Sequence, residues 1–195
     1  MNDLIRSLVE AYGPSGCEDV VRELIRPLVE PHADEVSVDA MGNLIVRKRS
    51  TVENPLKVMI AAHMDEIGVM VTHVTEKGFL RFTNIGGVAP HTLLGGRVRF
   101  ADGTVGVIGC DQLDDRNTIH PLNKHFIDVG ATGREDCPVR VGDAAHFDRP
   151  FEDRGHHLTA KSMDDRIGCA IAIEALRRLP AATAHDLYFV FSVQE

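Results

Sequence analysis

The hydrophobic pattern of this sequence changes period near Gly68 and changes back near Met163, so the chain cannot form one uniform kind of layer. Before the first switch, Leu4, Ile5, Leu8 and Val9 share a helical face that breaks at Gly13-Pro14. Val20, Val21, Leu24, Ile25 and Leu28 then predict a second helix over residues 18–29, limited by Pro27 and Pro31. Residues 36–39 and 43–47, separated by Met41-Gly42, read as a hairpin. The continuous apolar run at residues 58–62 reads as a strand in the middle of a sheet, covered on both faces.

Between the switches the texture is different. GVMVTHVT, GFLRFTNIG, RVRF, TVGVIG, HFIDVGA and AAHFD are short β-type segments punctuated by Gly and Asp. Asp102-Gly103 predicts a two-residue hairpin turn, because Gly supplies the positive φ such turns require. Several short strands at this spacing predict a small barrel or sandwich. After the second switch, DDRIGCAIAIEALRRL predicts an amphipathic helix with Ile167, Ala170, Ile171, Ala175 and Leu179 near one face. Residues 187–193 predict a final strand, with Glu195 at its tip. The expected fold class is α/β: a discontinuous domain of residues 1–67 and 156–195, interrupted by a β-domain of residues 68–155.

Composition narrows the function classes. With 44% apolar and 26% charged residues the chain is of ordinary globular type. No apolar run reaches the roughly 18 residues of a membrane span, and the start lacks a leader pattern, so a cytoplasmic protein without a membrane partner is expected. A net charge of −8 argues against a nucleic-acid partner. Cys17, Cys110, Cys137 and Cys169 form no CxxC pair and are expected as reduced thiols.

Three sets of groups could do chemistry. His63 and Asp65 follow the strand of residues 58–62, Asp164 and Asp165 open a helix, and Glu195 ends the next strand. Ligand sites of open α/β sheets lie outside the carboxyl ends of strands, so these groups should converge. In extended chain His63 and Asp65 point to one face, which lets Asp65 accept from one ring nitrogen while the other binds a metal. Each set alone has an ordinary explanation: a structural His beside an acid, a helix cap worth about 0.3 to 1 kcal/mol per acid, an exposed strand end. Together they are far more specific. His156-His157 is expected as an exposed loop. His73, His91, His120, His125 and His146 show no ligand spacing, and Asp114-Asp115-Arg116 is read as loop.

With their flanks, these motifs carry a resemblance. AYGPSGCEDVVRELI, DAMGNLIV, AAHMDEIGVMV, FIDVGA, RVGD, KSMDDRIGC and FVFSVQE run from end to end of the chain. They resemble, in order, the glutamyl aminopeptidase and TET-type tetrahedral aminopeptidase family, some of whose members bear the older label cellulase M or endoglucanase. The resemblance implies a metallopeptidase with two divalent ions, zinc or cobalt, that removes residues from peptide N-termini. On its motifs His63 is a ligand of one ion, Asp65 its orienting partner, Asp164 the bridging carboxylate, Asp165 the shaper of that turn and Glu195 the general base.

The fold it implies is a phosphorylase/hydrolase-like α/β/α domain carrying a β-barrel dimerisation domain, with short peptides as substrates and a homo-oligomeric shell. The family's strand continues into a second metal-binding Glu, and a further Asp and His ligand follow later. The chain is therefore expected to be the N-terminal portion of such an enzyme and inactive alone. Two other readings stand beside it: a non-catalytic assembly or regulatory chain, and an endoglucanase-type glycosidase. The glycosidase is disfavoured by the absence of Trp and the presence of only two Tyr for stacking sugar.

Overall fold

The computed structural model describes residues 1–112 and 119–195. In chain order the elements are α1 Asn2–Glu10, α2 Asp19–Val29, β1 Glu35–Val38, β2 Leu44–Lys48, β3 Lys57–His63, β4 Gly68–Val74, β5 Leu80–Ile85, β6 Arg97–Phe100, β7 Val105–Cys110, β8 His125–Asp128, β9 Ala144–Phe147, β10 Glu152–Asp153, β11 Leu158–Thr159, α3 Met163–Arg178 and β12 Asp186–Ser192. They form two compact units, residues 1–66 with 150–195, and residues 67–149. Residues 150–155, assigned to the insert on sequence, lie with the first unit. Phe151 joins that unit's core, and Glu152-Asp153 pairs with Leu158-Thr159.

The first unit is α/β. Its sheet has the order β1-β2-β12-β3, antiparallel except for the parallel β12/β3 pair. Phe189, Phe191, Leu44 and Val46 are buried from the sheet, and Ile5, Leu8, Val21, Ile25 and Ile173 from the helices. Each fully buried side chain of this kind contributes about 1.5 to 3 kcal/mol.

Three local expectations are corrected here. In α2 the buried stripe is Val21, Ile25 and Val29, at i, i+4 and i+8, while Val20 and Leu24 are exposed. Pro27 lies inside this helix; it removes one hydrogen bond in the last turn, and the buried stripe carries the helix past it. Strand β3, expected inside a covered sheet, is flanked on one side only: among the described residues its only strand partner is β12, and Val58, Met59 and Ile60 are exposed. A continuous apolar run identifies a strand but cannot count its neighbours.

The second unit is a closed six-stranded barrel of order β4-β5-β8-β7-β6-β9, shut by antiparallel pairing of β9 with β4. Val69 and Val71, Leu80 and Phe82, and Val98 and Phe100 alternate inward at a period of two, as strands with one buried face require. Gly106 is needed for close approach, since a Cβ there would sit 2.3 Å from Ile127 Cγ2. The Asp102-Gly103 hairpin has three loop residues, not two. Gly103 N donates to Phe100 O, Phe100 N to Thr104 O, and Gly103 takes φ +89°. This is the turn-plus-left-handed-residue form of short hairpin. Asp114, Asp115 and Arg116 lie outside the described residues. His156 and His157 are exposed in the turn between β10 and β11.

Candidate active site

The parallel β12/β3 pair sets the frame. Ser192 stands opposite His63 at the carboxyl ends of both strands, so the chain leaves each strand on the same edge. His63 is the last residue of β3, and its Nε2 lies 3.1 Å from Asp164 Oδ1 and 3.4 Å from Glu195 Oε2. Its Nδ1 lies 3.3 Å from Asp65 Oδ1. That separation suits charge attraction, but the buried Nδ1 has no hydrogen bond of good geometry. His63 and Asp65 are nearly buried, whereas the carboxylates of Asp164 and Glu195 stand in solvent. Four of the five residues singled out on sequence are thus brought together, with Asp65 behind the ring and the acids Asp164 and Glu195 in front.

Burial is the largest influence on His63 and opposes its protonation. The hydrogen bond to Asp164 and the charges of Asp65, Glu195 and Asp164 together outweigh it and raise the pKa above the ordinary imidazole value. The same convergence of imidazole nitrogen and carboxylate oxygen is a donor set of the type that borderline divalent cations take. Among the described residues, however, no group of three or more His, Cys, Asp or Glu is placed to hold a metal ion.

The start of α3 explains how Asp164 reaches His63. Asp164 and Asp165 do not have helical backbone angles, and the peptide between them is cis. The pair therefore forms a kink within the first turn of α3, and regular turns follow from Arg166. Asp165 Oδ1 accepts from Gly168 N at 3.1 Å, an N-cap bond. Gly168 has to be glycine for this: a Cβ would sit 2.2 Å from Asp165 Oδ1. Asp164, in extended conformation, is left pointing off the helix. The helix's buried face is Arg166, Cys169, Ala170, Ile173 and Leu176, while Ile171 and Ala175 are exposed, contrary to the sequence reading. That reading assumed an apolar face; an arginine holds one of its positions.

Arg166 is fully buried and belongs to a charged cluster that the sequence did not disclose. Its guanidinium donates to the carbonyls of Met64 at 2.9 Å, Leu8 at 2.8 Å, Ala11 at 2.6 Å and Gly13 at 3.2 Å, and to Glu66 Oε1 at 3.1 Å. Burial pulls its pKa down against the pull of Glu66, yet a guanidinium stays charged. Glu66 also accepts from Lys161 Nζ at 2.7 and 2.9 Å, from Gly13 N at 3.1 Å and from the Ser162 hydroxyl. Gly13 has no room for a side chain, since a Cβ would lie 2.7 Å from Arg166 Nη2. The cluster therefore ties residues 63–66, which carry His63 and Asp65, to residues 161–166, which carry Asp164. The available signal was an acid directly after HMD and bases on either side of the DD pair.

A family model described as M42 glutamyl aminopeptidase matches residues 42–195. The chain belongs to this family. A relative from Acetivibrio thermocellus, named as an aminopeptidase, is 41% identical over 100% of this chain and 58% of its own length. The lysyl aminopeptidase of Pyrococcus furiosus is 36% identical over 99% of this chain and 59% of its own. Among solved structures, aminopeptidase APDkam598 from Desulfurococcus kamchatkensis superposes with a TM-score of 0.92 at 40% identity, covering 100% of this chain and 56% of that one. The PhTET1-12s dodecamer superposes at 0.89 and 32% identity, covering 100% and 60%. The chain thus spans a little under three fifths of the length of the two curated relatives above.

Proposed function

We propose that the protein acts as a metal-dependent aminopeptidase that removes N-terminal residues from short peptides. The observation that carries this reading is the approach of two exposed carboxylates, Asp164 and Glu195, to His63 Nε2 within 3.4 Å, in a chain of the M42 family. His63 and Asp164 would hold divalent cations, two per subunit, with zinc or cobalt suited to their nitrogen and oxygen donors. When bound, such ions lower the pKa of a water and polarise a scissile carbonyl. Asp65 orients the imidazole from behind. Glu195 accepts a proton from the attacking water at its exposed carboxylate and returns it to the leaving amine nitrogen. The barrel, with Met70, Val105 and Val107 exposed on its strands, would carry the contacts of a homo-oligomer, in line with the dodecameric state of PhTET1-12s.

The test is chelator-sensitive release of N-terminal residues from aminoacyl substrates by the complete protein, with metal counted per chain. Asp164→Ala is expected to abolish activity and lower the metal content; full activity with normal metal content would sink its role as a ligand. A second reading, an assembly or regulatory chain without catalysis, would rest on the barrel and its exposed Met70, Val105 and Val107. A folded oligomer that binds no metal and cleaves nothing would support that reading instead.

A further inference from the structure

We infer that Glu18, together with Asn43, is a positioning residue for Glu195, acting through the backbone of the segment that follows β12. The inference rests on the reading of Glu195 as the general base. Three successive backbone N–H groups in this segment donate to side-chain oxygens from three separate parts of the α/β unit. Val193 N donates to Asn43 Oδ1 at 2.9 Å, Gln194 N to Glu18 Oε1 at 3.1 Å and Glu195 N to Asp65 Oδ1 at 3.3 Å.

None of these acceptors is loose. Glu18 is buried, and its Oε1 also accepts from Gly16 N at 2.8 Å, so it fastens the turn before α2 to the end of the last strand. Asn43 is oriented from behind by Asp39, which accepts from Asn43 N at 3.1 Å and from its amide nitrogen at 2.8 Å. That leaves Asn43 Oδ1 facing Val193.

The backbone shows why a clamp is needed. Gln194 has φ +54°, the left-handed region, which is sterically unfavourable for a residue with a side chain. A charge-assisted hydrogen bond from its N–H to a buried carboxylate offsets that cost and holds the turn. The turn directs the next residue back toward His63, where Glu195 Oε2 lies 3.4 Å from Nε2. Released, Gln194 relaxes to a negative φ and the Glu195 carboxylate swings off the imidazole. Glu18 does not touch the reacting atoms; it acts by fixing where they are.

The experiment compares wild type, Glu18→Ala, Glu18→Gln and Asn43→Ala in the complete protein, by steady-state kinetics, metal content and amide hydrogen exchange of residues 193–195. Glu18→Ala should lower kcat by about 10- to 100-fold with KM nearly unchanged, as expected for misplacement of a reacting group by about 1 Å. Metal content should stay at the wild-type level, and the Gln194 amide should lose its protection. Glu18→Gln, which keeps an acceptor oxygen at the same reach, should restore most of kcat and of that protection. Asn43→Ala should act in the same direction and more weakly. Wild-type kcat in Glu18→Ala overturns the inference, as does a loss that Glu18→Gln fails to rescue. A wild type without peptidase activity instead overturns the function itself, and with it the role of Glu195.

Discussion

In the α/β unit, Glu18, Asp65, Glu66, Lys161, Arg166 and Asp186 are buried, whereas the buried polar side chains described in the barrel are His125 and His146. Both interiors are otherwise built mainly from aliphatic residues and phenylalanine, with Met64 and Cys169 added in the α/β unit. The barrel needs only alternation and closure, because its ladder satisfies the backbone and its inner face is apolar. The α/β unit has to hold exposed carboxylates in a fixed relation to an imidazole. They lie on irregular backbone after strand ends, where no ladder sets the geometry. Buried charges with many hydrogen bonds replace the missing ladder, at the risk of a large penalty if one partner is lost.

That contrast can be broken experimentally. Glu66→Ala should have the largest effect, since it strands Lys161 and Arg166 as buried cations; about 3 to 5 kcal/mol of stability is expected to be lost. Tyrosine fluorescence during urea unfolding isolates the unit concerned, because both tyrosines, Tyr12 and Tyr188, lie in it. A loss under about 1 kcal/mol would mean the cluster is no more than a surface-type ion pair. In the barrel the corresponding weak point is apolar. Ile127→Ala should cost about 2 to 5 kcal/mol through the cavity it leaves, read by hydrogen exchange of the barrel amides.

Smaller effects sharpen the comparison. At Gly103 nothing lies within 4 Å of a built Cβ, so Gly103→Ala should cost only the backbone strain of a positive φ, about 1 to 2 kcal/mol. A larger loss would show that the hairpin also packs. The α/β unit should in addition respond to acid. The backbone N–H of Ser50, and then the Arg47 guanidinium, hold the Asp186 carboxyl below its usual value of 3.8. Its stabilisation is therefore complete above that value and is lost as pH falls through the lowered folded pKa. Urea unfolding repeated across the acid range should show this decline in wild type and a flatter profile in Asp186→Asn; identical profiles would remove Asp186 from the account.

The last test concerns reactivity. Burial pushes the Cys169 thiol up to about 12, so iodoacetamide at about pH 8 should label Cys17, Cys110 and Cys137 before Cys169, which reacts only on unfolding. Peptide mass spectrometry would show early labelling of Cys169 if that interior were open.

Much of this architecture was legible in the residues. The strands of the barrel, the helices and the β1/β2 hairpin follow from periodicity, because one buried face forces a period of two or of about 3.6 on the chain. His63, Asp65, Asp164 and Glu195 stood out because reactive residue types fell at strand and helix ends. Less legible were choices made by neighbours distant in sequence. Val20 and Leu24 look as apolar as Val21 and Ile25, and which pair is buried depends on where α3 lies. Pro27 looks like a stop until the rest of its helix is seen to be packed. Glu66, Lys161 and Arg166 read as ordinary charged residues, because what makes them structural is their mutual contact across about a hundred residues of chain.

The sequence by itself therefore determined the two textures, the order of the elements and the chemical types available at the site, since these depend on local period and on residue identity. Only the tertiary structure decided which acids face His63, which charges are buried together and how Glu18 and Asn43 hold the turn before Glu195. Those relations join residues far apart in the chain, and local preference carries no information about such pairings.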